Sequence, residues 1–139
     1  MNILIDTNVA LDALLERQPF YAAAANVLGL STLGVGIFVS ASAITDIYYI
    51  SRKHTGSKKA AMELLKNLLL NVDAATVSGV EIRRAIALDW GDFEDAVQYA
   101  VGESLAVDYI VTRNPADFSS SSIEAATPDQ FIRLVTDLE

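Results

Sequence analysis

The chain is 139 residues long, 52% apolar, with a formal net charge of −8, and that apolar share excludes a disordered chain. The length suits one domain, residues 1–139, with a core of its own. Without cysteine, disulfides and thiolate-held zinc or iron–sulfur centres are excluded, and no apolar run is long enough to span a bilayer.

Asn2–Ile5 reads as a buried strand. Asp6 and Asp12 interrupt the apolar run that follows, and no basic n-region precedes it, so no secretory signal is expected and the cytoplasm is the default compartment. Val9–Glu16 and Phe20–Leu33 have helical spacing, broken by Pro19, and Gly36–Ser40 reads as the second strand. Ala43–Ser51 is predicted helical, with Ser42 as its N-cap, ending before a basic loop and Gly56. That loop holds Arg52, Lys53, Lys58 and Lys59, with the only histidine, His54, within eight positions. Ser57 caps a predicted helix over Ala60–Leu70, and Ala74–Val77 reads as the third strand. Ser78 precedes a helix over Glu81–Leu88, with Glu81 placed as in a capping box. Trp90 reads as a packing anchor, and Asp92 as the N-cap of Phe93–Leu105. Tyr109–Val111 is the fourth strand, Ser119–Ser122 a loop, and Ile123–Ala126 a fifth, weaker strand. Thr127-Pro128 opens a last helix, Asp129–Asp137.

Strands separated by helices, without hairpin signals, predict an α/β domain with a parallel sheet covered on both faces. Ligand sites in such sheets form at the C-terminal ends of the strands, and acids stand there in this chain. Asp6 ends the first strand in Leu4-Ile5-Asp6-Thr7-Asn8-Val9, where Thr7 and Asn8 can cap the following helix as well as it can. Asp46 interrupts the apolar set Ile44, Ile47, Tyr48 and Ile50, as an exposed residue or at the border of the buried face. Asp92 and Asp95 share one helix face; Asp95 is the better ligand candidate and Asp92 the capping or supporting group. After the fourth strand, Thr112 can donate to a carboxylate, Arg113 can meet a phosphate, and Asn114 offers a neutral carbonyl oxygen. Asp117 caps a turn or stands in as the last acid. Converging carboxylates repel unless a cation lies between them, and oxygen-only ligands point to Mg²⁺ or Mn²⁺.

Net acidity argues against a nucleic-acid partner. A metal shared by several acids weakens that objection, as does the basic run, which reads equally as a solvated helix end or a phosphate-binding patch. Other α/β chemistries fit worse. Asp6-Thr7-Asn8 lacks the second aspartate of an aspartyl-phosphate phosphatase, and Val77-Ser78 offers no phosphoacceptor aspartate after the third strand. No GxGxxG or GxxxxGK[ST] occurs, and His54 stands among lysines, away from any nucleophile pattern.

Taken in order, Ile5-Asp6-Thr7-Asn8-Val9, Ser40-Ala41-Ser42-Ala43-Ile44-Thr45-Asp46, Asp92-Phe93-Glu94-Asp95-Ala96-Val97-Gln98, Asp108-Tyr109-Ile110-Val111-Thr112-Arg113-Asn114 and Asp117-Phe118 span nearly the whole chain. This order resembles the PIN-domain family and, within it, the VapC-like toxins of bacterial toxin–antitoxin pairs. The resemblance implies a five-stranded parallel sheet between helices and Mg²⁺- or Mn²⁺-dependent endoribonuclease cleavage of RNA. By position, Asp6, Asp46 and Asp95 would be acidic metal ligands, Asn114 would occupy the fourth acidic position, and Thr112 matches the Thr or Ser found beside it. Asn8, Asp92, Asp117, Arg113, Arg52 and Lys53 would support the metal or steer the RNA backbone.

Two positions depart from the family pattern. Asp46 stands where Glu is usual, shorter by roughly 1.5 Å, and Asn114 stands where Asp is frequent, removing one negative charge. The resemblance also implies an antitoxin whose tail occupies the groove beside the acids, and a homodimer. Phe20, Tyr21, Tyr48 and Tyr49 offer an aromatic surface for such contacts, though core packing explains them more simply. The alternative is a catalytically impaired PIN-like domain that binds RNA or protein without cutting.

Overall fold

The computed structural model describes residues 1–137, so the last two positions of the expected domain lie outside the described residues. Five strands, β1 (Asn2–Ile5), β2 (Gly36–Ser40), β3 (Asp73–Ala75), β4 (Tyr109–Val111) and β5 (Glu124–Ala126), form one sheet in the order β3-β2-β1-β4-β5. Every pairing is parallel, with Ile3 opposite Ile37 on one side and Tyr109 on the other. The helices α1 (Thr7–Leu14), α2 (Tyr21–Gly29), α3 (Ala41–Thr55), α4 (Lys58–Leu68), α5 (Gly79–Leu88) and α6 (Phe93–Leu105) connect the strands up to β4, a 3₁₀ turn joins β4 to β5, and α7 (Pro128–Asp137) follows β5.

The alternation of side chains along each strand divides the core in two. Ile3, Ile5, Ile37, Val39 and Val111 pack against Val9, Leu11, Val27, Ile47, Leu68 and Phe131, from α1, α2, α3, α4 and α7. On the opposite face, Leu4 and Ile110 pack against Ala85, Ala96, Val97, Tyr99 and Val101, from α5 and α6. The predicted α/β architecture, a parallel sheet flanked by helices on both faces, is therefore the one observed.

Several boundaries differ from the sequence reading. α1 starts at Thr7 instead of Val9, because Asp6 already adopts the extended N-cap backbone, with φ −67° and ψ 151°. α2 stops at Gly29 and continues as a 3₁₀ turn, Leu30–Leu33, closed by Gly34 in the left-handed region. α3 is longer than predicted at both ends. Ser42 lies inside it, its hydroxyl 2.6 Å from that of Ser40. Arg52, Lys53 and His54 form its last turn, where the helix dipole favours cations, and Gly56 ends it with φ +70°. The expected basic loop is thus largely helix. β3 sits one residue earlier than predicted and is shorter. The capping roles of Ser57, Ser78 with Glu81, and Asp92 are all present.

α6 is buried continuously from Ala96 to Gly102, and it can lie this close to the sheet because Gly102 has no side chain. A Cβ there would meet Val107 Cγ2 at 3.2 Å, Ile123 Cδ1 at 3.4 Å and Leu4 Cδ2 at 3.7 Å. Gly102→Val is expected to destabilise the fold by about 1–3 kcal/mol through overpacking. Urea denaturation checks this, and an unchanged midpoint would refute the close approach of α6 to β1.

Candidate functional site

β1 delivers Asp6 to the C-terminal edge of the sheet, half-buried and directly after the fully buried Ile5. The Asp6 N–H donates to the Val111 carbonyl (2.9 Å), and the Asp6 carbonyl accepts from Val9 and Ala10 as α1 begins. Its carboxylate does not cap that helix. Instead Oδ2 accepts a 2.9 Å hydrogen bond from the hydroxyl of Thr112, a fully buried residue at the exit of β4. Thr112 is held in turn: its N–H donates to the Ala126 carbonyl (2.9 Å), and its Oγ1 accepts from the Asn114 N–H (3.2 Å). The predicted donation from Thr112 to a carboxylate is therefore made to Asp6 itself.

The start of α6 brings the second group of acids. Asp92 caps the helix by accepting from the Asp95 N–H at 3.0 Å. Asp95 is half-buried at the edge of the apolar face of α6. Burial first, then the charges of Asp92, Asp6, Asp117 and Glu94, push its carboxyl up to about 7. Glu94 is also raised above the ordinary carboxylate range, chiefly by burial, with Asp46, Asp6 and Asp92 adding to the effect. The Thr7 hydroxyl, donating to its Oε1 at 3.2 Å, opposes the rise. In the sequence Glu94 reads as one more acid in a helix's first turn. Its partner Thr7 lies 87 residues away, so only the fold reveals the pairing.

Asp46 is exposed on α3 and shares one surface depression with Thr7, Asn8, Tyr49 and Glu94. Asp117, also exposed, shares another with Trp90, Asp92 and Asp95. Trp90 stacks on Tyr99 with ring centroids 5.1 Å apart and meets Phe118 edge-on at 6.1 Å, so it is the anchor its position suggested. Asn114 is exposed just before the 3₁₀ turn Pro115–Phe118, and its side chain makes no capping bond. Asn8 accepts at its Oδ1 from Arg17 (3.1 Å).

Arg113 is held away from this group. Its Nε donates to Asp12 Oδ2 at 2.7 Å, its other nitrogen pairs with Oδ1, and its guanidinium lies 3.9 Å above the ring of Phe20. Asp12 is only 1% exposed and takes a second arginine, Arg17, at 2.8 Å. Arg52, donating to the Tyr48 hydroxyl at 3.3 Å, and Lys53 are exposed on the last turn of α3.

Oxygen donors from β1, α3 and α6 thus face a common region, and among the described residues none of them forms an ion pair. Among those residues no three acidic or histidine side chains stand close enough to hold an ion as they are. The donor chemistry suits a hard divalent cation, which would favour the ionised carboxylate that burial and the neighbouring acids oppose at Asp95.

A family model described as the PIN domain matches residues 2–116. The chain belongs to the PIN-domain family. Among solved structures, this PIN domain is similar to VapBC2 from Rickettsia felis bound to a DNA fragment from its promoter. The identity is 16% and the TM-score 0.72, covering 91% of this chain and 98% of that one. At that identity the likeness shows the fold alone. No curated protein matches the chain. No helix among the described residues is long and apolar enough to cross a membrane.

Two outcomes follow from the electrostatics of this PIN domain. The folded chain holds the Asp95 proton more tightly than the unfolded chain, whose carboxyl has the ordinary value of 3.8. Asp95 therefore lowers stability as pH rises from about 4 to about 7. In chelator, thermal midpoints should rise from about pH 7.5 down to about pH 5.5, and Asp95→Asn should flatten that rise. Equal slopes for the two proteins would contradict the crowding. Asp12→Ala should cost about 2–4 kcal/mol, because it leaves two guanidiniums without their carboxylate, although both partly reach solvent. Denaturant unfolding checks this against Arg17→Ala, which should cost less.

Proposed function

We propose that this PIN domain is a metal-dependent endoribonuclease that hydrolyses RNA phosphodiester bonds and acts as the toxin of a toxin–antitoxin pair. The observation that carries the proposal is the crowding of Asp6 and Asp95. The two carboxylates come from separate elements without a cation of the chain's own, and burial, Asp92 and then Asp6 push the Asp95 carboxyl up to about 7.

In this reading Asp6, Asp46 and Asp95 would hold Mg²⁺ or Mn²⁺. When bound, the cation supplies Lewis acidity and a positive charge that a phosphodiester can approach. The remaining work falls to the chain. Thr112 fixes the direction of the Asp6 carboxylate through its hydroxyl. Glu94, raised in pKa and beside Asp46, is a group able to take up and release a proton near the reacting phosphate. Asp92 holds the first turn of α6, and with it Asp95, in place. Asn114 and Asp117 flank the acids from the β4 side, Asn114 in the fourth acidic position. Arg52 and Lys53 at the end of α3, with Lys58 and Lys59 at the start of α4, offer charges to the RNA backbone. Arg113 contributes by locking the segment after Thr112 to α1, and its charge is already engaged by Asp12.

A toxin needs an antitoxin. The similarity to a complex named VapBC2 supports a partner of that kind, and in this reading the pair would work in the cytoplasm, with RNA as the toxin's substrate. A second reading, a binding module without catalysis, draws on the separation of the acids.

The deciding experiment is cleavage of a mixed RNA pool with Mg²⁺ or Mn²⁺, beside the double variant Asp6→Asn, Asp95→Asn. Metal-dependent cutting is expected in the wild type and should fall at least about 100-fold in the variant, a larger loss than an outer partner of a metal site causes. Folded wild-type protein that binds Mn²⁺ by calorimetry yet cuts no RNA would favour the binding module. Absence of metal binding would overturn the nuclease.

A further inference from the structure

Gln98 lies on α6, one turn beyond Glu94 and Asp95. It is 2% exposed, and neither Oε1 nor Nε2 meets a hydrogen-bond partner among the described residues. A carboxamide has two donor hydrogens and an acceptor oxygen, and burying all of them unpaired opposes folding. Nothing in the packing of α6 requires an amide there, since its neighbours Ala96, Val97, Tyr99 and Val101 belong to an apolar cluster. A polar side chain kept in such a place at a cost to stability points to a use outside the fold.

Gln98 is also among the residues lining a surface depression of about 270 Å³, with its amide atoms beneath that surface. Ile82 and Val97 form apolar walls, Phe93 stands at the rim with half of its surface exposed, and Ser42 contributes a hydroxyl. Asp46 and Glu94 line the same depression, so it adjoins the acids of the candidate site. The occupant must therefore be flat and apolar on its faces, and must present a donor beside an acceptor at its edge. A phosphate or carboxylate does not satisfy this: it can accept from Nε2 but leaves Oε1 unmet, and Asp46 and Glu94 repel it. A nucleobase fits on every count, with an aromatic ring for stacking and an edge for the carboxamide.

We propose that Gln98 is the base-reading residue of a nucleobase subsite beside the acids, selecting an adenine-like edge in the RNA substrate. This rests on the ribonuclease reading above. On its N7/N6 edge adenine presents an acceptor next to a donor, where guanine presents two acceptors, and a carboxamide pairs the adenine edge at two points. Phe93 stacks on the base, and the Gln98 side chain turns out of its unpaired position to meet the base edge. Gln98 is thus a specificity residue that makes no demand on the metal ligands.

Two measurements on the full chain test it, with Gln98→Met as the variant. Methionine keeps the length and removes the unpaired amide, so it should melt no lower than the wild type. In the first measurement, adenosine, guanosine, cytidine and uridine are titrated in turn while the Gln98 side-chain amide is followed by NMR. Adenosine is expected to shift that resonance most, and Phe93→Ala should weaken its binding roughly tenfold. The second maps cleavage sites in RNAs that differ at one base. Wild type should prefer adenine at one position by about tenfold or more, and Gln98→Met should reduce this to within about twofold while still cutting. If no nucleoside shifts the amide, or Gln98→Met keeps the wild-type preference, the subsite is refuted while the nuclease reading stands. If no RNA is cut by the wild type, the nuclease reading fails and the nucleoside titration alone decides the subsite.

Discussion

Strand β1 is hydrogen-bonded along both edges, to β2 and to β4, and beyond Asn2 its side chains are buried on both faces. It is the central strand of the five, and Ile3, Leu4 and Ile5 are fully buried. Its end point is therefore fixed to within the tolerance of the sheet, and Asp6 inherits that precision. Because α3 leaves the sheet from β2, and the segment after β4 leaves from the other neighbour, the chain diverges around Asp6. Parallel sheets hold their ligands in the crevice opened by such a divergence. The hydrogen bond from Thr112 to Asp6 spans that crevice from one side.

Charge is distributed around this crevice in two opposite ways. At Asp12 a single carboxylate, almost wholly buried, receives two arginines. Around the end of β1, Asp6, Asp46, Glu94 and Asp95 take no basic partner among the described residues, and Glu94 and Asp95 resist ionisation. A fold seeking stability alone would share its arginines more evenly. The concentration of negative charge where the sheet opens is what a site for an external cation requires.

The parts of this arrangement visible in the sequence are those governed by local rules. Strand β1 shows as an apolar run ended by an acid, and α5 and α6 show through Ser78 with Glu81 and through Asp92. The ends of α3 were missed because Ser42 looks like a cap, while the helix starts earlier, at Ala41. The basic residues after Ser51 likewise suggested a loop, but a left-handed glycine at the end of a helix lets the last turn carry them. What no local rule could supply is pairing across long separations. Arg113 meets Asp12, 101 residues away, which engages a charge that looked free to bind phosphate. Glu94 meets Thr7 by the same kind of long connection. Gln98 shows in the sequence only as one residue of a motif, since burial without a partner has no signature there.

Trp90 gives this architecture an optical property. It is the only tryptophan in the chain, it stacks on a tyrosine whose helix also carries Asp95, and it lines the depression shared by Asp92, Asp95 and Asp117. An indole's emission responds to nearby charge and to the rigidity of its surroundings. The ultraviolet fluorescence of the unlabelled protein therefore arises beside these acids, so it carries the electrostatic state of that cluster in its wavelength and intensity.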